Sequence, residues 1–162
     1  DYNEDGKVNV SYDEMVLDYD PESTLDPQTN VVNMQKFMAV MAAGDELIFI
    51  MDQDVYDSVV ENSGEDIFVD LEELYPDETD TVKGDKLILN DTALGKKMYL
   101  NGLEEDVFLC VRDMGGSVKE DDESLSTMER SLDFVENILR EEYPDKFPAE
   151  EAPADNSSEE AR

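Results

Sequence analysis

Leu47-Ile48-Phe49-Ile50-Met51-Asp52 is the stretch on which the fold turns. Consecutive apolar residues closed by an acid are too short a run for an ordinary helix and suit a strand buried on both faces. A second such run, Val107-Phe108-Leu109-Cys110-Val111, sits in an extended segment over residues 106–112, and Lys86-Leu87-Ile88-Leu89 gives a third strand. Upstream, Asp26 is a good N-cap and Pro27 a good first helical residue. Val31, Met34, Phe37, Met38 and Met41 then recur at helical spacing until Gly44 ends the element. The methionine content would also suit an adaptable partner surface, but such a stripe reads first as core.

Downstream of Asp52, a short helix is predicted over residues 54–61. An extended piece and a helical turn follow over residues 67–74, ending at Pro76. The clearest element is the last helix, with Leu125, Met128, Leu132, Val135 and Leu139 at steps of three and four. Ser126 with Glu129 offers it a capping box. At the other end, Val8, Val10 and Tyr12 alternate with polar residues, which predicts a strand within residues 7–19. Apolar strands between amphipathic helices predict a layered α/β domain with a largely parallel or mixed sheet over residues 1–147. Residues 148–162 hold Pro, Ala, Glu, Asp and Ser without apolar period and are expected to be a disordered acidic tail.

Composition excludes whole classes of function. The chain carries 12 basic and 44 acidic residues, a formal charge of −32. That field repels phosphates and anionic headgroups, so no nucleic-acid partner is expected, and a membrane only through an anchor preceding Asp1. The chain opens inside a motif, which implies that an N-terminal part is missing. Histidine is absent and Cys110 is the single cysteine. An internal disulfide, ordinary zinc sites and Ser-His or Cys-His nucleophiles are therefore excluded. Cys110, inside an apolar run, reads as a small core residue.

Asp1-Tyr2-Asn3-Glu4-Asp5-Gly6 matches the first half of a D-x-[DN]-x-[DN]-G calcium loop. Side-chain oxygens of Asp1, Asn3 and Asp5 would converge on one point, and the main-chain carbonyl of Lys7 would add a fourth ligand. Hard oxygen donors favour Ca2+, here in a structural role. The second half departs from an EF-hand: the closing position is Tyr12, not glutamate, and the residues after the loop have strand character. Asp13 or Glu14 could close the site, or a distant carboxylate. The alternative is a solvated turn that binds nothing.

Residues 34–75 resemble part of the extracellular solute-binding proteins of bacterial ABC transporters. The resemblance rests on the phrases Met41-Ala42-Ala43-Gly44-Asp45, Leu47 through Asp52, and Ile67-Phe68-Val69-Asp70-Leu71. It implies a periplasmic-binding-like single lobe and an extracellular or cell-surface bacterial location. Some sugar-binding relatives in that group hold calcium in a loop similar to the one that opens this chain. Full receptors have two lobes with ligand between them, and only one lobe fits here.

These residues predict a non-enzymatic domain that binds a small molecule or a protein. In an open parallel sheet, ligands sit at the carboxyl ends of strands, which singles out Asp52, Asn90, Asp91 and Thr92. The alternative is an acidic protein-interaction domain without a small-molecule ligand. A further alternative is a magnesium-dependent phosphotransferase using Asp52 as nucleophile and Asp54 as acid or base. Tyr56 stands where that motif wants Thr or Val, and Asp54 reads equally well as a helix cap. Gly95-Lys96-Lys97 lacks the spaced glycine and the Ser/Thr of a phosphate loop.

Overall fold

The structure, a computed structural model, describes residues 13–17, 26–44, 46–76, 80–114 and 122–145. It divides into two compact units, residues 1–45 and 46–162. In the first, helix α1 (Pro27–Ala43) begins as its sequence predicts. The Asp26 carboxylate accepts a hydrogen bond from the Thr29 amide at 2.9 Å, Pro27 opens the helix, and Gly44 ends it. Phe37 and Met41 are buried, whereas Val31 and Met38 of the predicted stripe are exposed. Residues 13–17 form neither helix nor strand, and the rest of the predicted 7–19 strand lies outside the described residues.

The second unit is built on one sheet. In chain order it runs β1 (Ile48–Met51), α2 (Gln53–Ser63), a 3-10 turn (Glu65–Ile67), α3 (Leu71–Leu74), β2 (Val82–Lys83) and β3 (Lys86–Ile88). Then come α4 (Ala93–Lys97), a second 3-10 turn (Leu100–Gly102), β4 (Phe108–Val111) and α5 (Asp122–Glu142). The four strands lie in the order β1-β4-β3-β2, and every neighbouring pair is antiparallel. The α/β character stands, but the largely parallel sheet does not. An apolar run shows only that a strand is covered. Its direction depends on its neighbour, and here β4 returns beside β1, with Ile48 opposite Val111 and Met51 opposite Phe108.

Only β4 is buried along its whole length. β1 is an edge strand, and its Ile50 is 42% exposed, so the expected burial on both faces holds for the second apolar run and fails for the first. Alternation of side chains divides the interior. Leu87, Leu109 and Val111 join Val82, Leu71 and Leu89 against Val135, Ile138 and Leu139 of α5. On the opposite face, Phe108 meets Tyr56 of α2, which in turn stacks on Phe68. Each large apolar side chain buried this way contributes about 1.5–3 kcal/mol. Helix α5 starts at Asp122, before the expected capping box, and its apolar stripe faces the core through Met128, Leu132, Val135 and Leu139.

Candidate functional site

Asp85 owes its position to a hairpin. Lys83 pairs with Lys86 across β2 and β3, leaving Gly84 and Asp85 as a two-residue loop. Gly84 has φ of 60°, the left-handed geometry that such a loop requires at its first central position. The loop is held against α3 from both sides of the backbone. Glu72 donates its amide to the Gly84 carbonyl, and its carboxylate accepts from the Gly84 amide, each at 2.8 Å. Tyr56 holds the neighbouring residue: its hydroxyl donates to the Asp85 carboxylate at 2.8 and 3.0 Å.

The Tyr56 ring is fixed on several sides. It stacks on Phe68 at 5.9 Å between centroids and meets Phe108 edge-on at 5.5 Å. The Lys86 ammonium lies 3.8 Å from the ring centroid and bonds to the Gln53 side chain at 3.2 Å. Such a cation held over a ring is attracted by its quadrupole. Beyond β4, residues 67–69 run beside the strand end: Val69 donates to the Val111 carbonyl, and Asp113 donates to the Ile67 carbonyl, both at 2.8 Å.

These segments enclose a groove of about 640 Å³ lined by Tyr56, Phe68, Val69, Leu74 and five carboxylates. The carboxylates are Asp66, Asp70, Glu73, Asp85 and Asp113, and no lysine or arginine lines the groove. Asp70 also caps α3, accepting from the Glu73 amide at 3.0 Å. Burial raises the Asp85 carboxyl above the ordinary carboxylate range, against the opposing effects of the Tyr56 hydroxyl and the Lys86 charge, while Asp70 adds to the rise. Burial, together with Asp85, likewise pushes the Tyr56 phenol up, so it remains a neutral donor. Among the described residues no three acidic or thiol groups are placed to hold a metal ion. Spread carboxylates over an apolar floor suit an organic cation with a hydrocarbon stem.

The residues singled out by sequence do not meet in this groove. Asp52 N-caps α2, accepting from the Val55 amide at 3.0 Å, and Asp54 lies in the first turn of that helix. Asn90 is buried and knits a loop together: its amide nitrogen donates to the Leu100 and Glu105 carbonyls, and its oxygen accepts from Val107. Thr92 caps α4 and donates to the Leu89 carbonyl at 2.7 Å, while Asp91 is exposed beside it. Asp13 pairs with Lys36 at 2.9 Å, an exposed contact. Asp1, Asn3, Asp5 and Lys7 lie outside the described residues.

Tyr56 and Asp85 went unread as site residues. The signal for Asp85 was present: Gly84-Asp85 between Val82-Lys83 and Lys86-Leu87 is a hairpin phrase. For Tyr56 the signal is its helical spacing with Val59, which is buried on the same helix. The chain matches no model of a known protein family, and no curated protein or solved structure is significantly similar to it.

Proposed function

We propose that residues 46–145 form a non-enzymatic binding domain whose groove takes a lysine or arginine side chain of a peptide or protein partner. One observation carries this: five carboxylates and no lysine or arginine line the groove with its apolar floor of Phe68, Val69 and Leu74, the Lys86 ammonium lying over the Tyr56 ring. A long basic side chain would lay its stem on that floor and its charge among the acids. The groove is open to water, so each ion pair contributes modestly. Together with the stem contact, a total of about 4–5 kcal/mol is expected, a dissociation constant on the order of 0.1–1 mM for a single residue.

The test is calorimetric titration with N-acetyl-arginine amide, with the neutral isostere N-acetyl-citrulline amide as control. Binding of the first alone supports the groove, and equal heats from both oppose it. Two further proposals rest on sequence. A structural Ca2+ is held by Asp1, Asn3, Asp5 and the Lys7 carbonyl, closed by Asp13 once it leaves Lys36, by Glu14 or by a distant carboxylate. The domain works outside a bacterial cell, as the likeness to solute-binding proteins implies. The antiparallel sheet lends no support to a periplasmic-binding-like lobe, so the binding role rests on the groove.

A further inference from the structure

Buried backbone amides and carbonyls are almost always paired, and Phe68 departs from that rule. It stands opposite Arg112 in an antiparallel bridge to the chain leaving β4. Its two neighbours make the bonds of that bridge: Asp113 donates to the Ile67 carbonyl, and Val69 donates to the Val111 carbonyl. In a pair bonded only through its neighbours, the middle residue's own N–H and C=O point away from the partner strand. Phe68 is 5% exposed, yet neither group has a hydrogen-bond partner among the described residues.

The sheet shows where these groups point. Leu89 donates to the Val107 carbonyl and Val69 to the Val111 carbonyl, and carbonyls of alternate residues lie on the same edge of a strand. Residues 67–69 therefore continue the line of β3 along β4. The place beside Phe68 is then the line of β2 carried past the turn at Gly84 and Asp85. No strand occupies that line among the described residues. Phe68 and Asp85 both line the groove, so the unpaired edge borders it.

We propose that the partner enters the groove in extended form, as a short antiparallel strand beside Phe68 with lysine or arginine at alternate positions. This rests on the groove taking basic side chains and adds the form in which they arrive. One partner residue donates to the Phe68 carbonyl and accepts from its amide, the paired exchange by which a peptide adds to a sheet edge. Side chains two apart on a strand share a face at a spacing of about 7 Å. An Arg-X-Arg segment thus presents two charges to a groove whose carboxylates include Asp66, Asp70 and Asp85. A helical partner fits less well, because its own amides and carbonyls are already paired and it would leave those of Phe68 unmet. A second copy must approach against the repulsion of two chains of −32.

The test uses the full chain and two probes: n-butylguanidinium, which is a side chain without a backbone, and the peptide acetyl-Ala-Arg-Val-Arg-Ala-amide. Hydrogen exchange of the Phe68 amide is followed against that of Val69, which the fold already pairs. Saturating peptide should slow Phe68 exchange, and saturating n-butylguanidinium should not. N-methylation of the peptide, one residue at a time, should lower affinity about tenfold at the single position that donates to Phe68 and change it little elsewhere. If n-butylguanidinium binds in the groove while the peptide leaves Phe68 exchange unchanged and tolerates methylation at every position, the strand is overturned and the basic-side-chain reading stands. If neither probe binds, both fall.

Discussion

Replacing Tyr56 by phenylalanine removes one oxygen from the groove and little else. The ring keeps its stack on Phe68, its edge contact with Phe108 and the Lys86 ammonium over its face. What is lost is the hydroxyl donor to Asp85 at 2.8 and 3.0 Å. A hydrogen bond to a charged group contributes about 1.5–3 kcal/mol. Asp85 is only half-buried and water can replace part of the donor, so roughly 1–2 kcal/mol is expected at pH 7.5. For a unit of this size that lowers Tm by about 4–8 °C.

The pH dependence gives the sharper check. Burial raises the folded-state pKa of Asp85. Its contribution to stability is therefore complete below the unfolded value of about 3.9 and is lost as pH rises through the folded value. This component of wild-type stability should fall across that window. In Tyr56→Phe the anion loses its donor, the folded pKa climbs further, and the fall extends to higher pH. In Asp85→Asn this component disappears. Urea unfolding of both single variants and the double variant, at pH 4.5 and 7.5, measures the coupling. A Tyr56→Phe cost that is the same at both pH values and in both backgrounds would refute the charge-based account.

Three other outcomes follow. A Cβ on Gly95 would lie 1.8 Å from the Leu89 carbonyl oxygen and 2.7 Å from its carbon. Both are backbone atoms that cannot rotate away, so Gly95→Ala should cost about 3 kcal/mol or more in thermal unfolding, and a loss near that of an ordinary surface change would contradict the packing. Cys110 is wholly buried, and burial pushes its thiol well above the ordinary range. Ellman's reagent should therefore leave the native protein untouched and react once it is unfolded in guanidinium, whereas native-state reaction would show that β4 opens. Calcium should raise Tm relative to chelator, and Asp5→Ala should remove that response. Identical melting curves in calcium and chelator would remove the N-terminal site.

Elements set by local chemistry were legible from sequence. Asp26, Pro27 and Gly44 mark the ends of α1 because caps and helix breakers act within a turn. Elements set by distant partners were not. Phe49 and Ile50 announce a strand, yet only pairing with Cys110 and Leu109 reveals that the sheet is antiparallel. In a parallel sheet Asn90 and Thr92 would lie at a ligand-binding strand end; in the antiparallel one they fasten the segment between β3 and β4. Strand β2 and helix α4 are two and five residues long and too short to show a period. The groove was hidden for another reason: Asp66, Asp70, Glu73, Asp85 and Asp113 are ordinary members of a set of 44 acidic residues until the fold gathers them.

The proposed site requires that the groove bind a basic side chain where the rest of the acidic surface does not. Amide chemical-shift mapping with N-acetyl-arginine amide, on wild type and on Asp70→Asn with Asp85→Asn, tests it most directly. Saturable shifts are expected at Tyr56, Phe68, Asp70, Glu73 and Asp85, with a loss of affinity of about tenfold in the double variant, the worth of two water-exposed ion pairs at about 0.7 kcal/mol each. Small linear shifts spread over the acidic surface, unchanged by the two substitutions, would show that the chain only attracts cations diffusely.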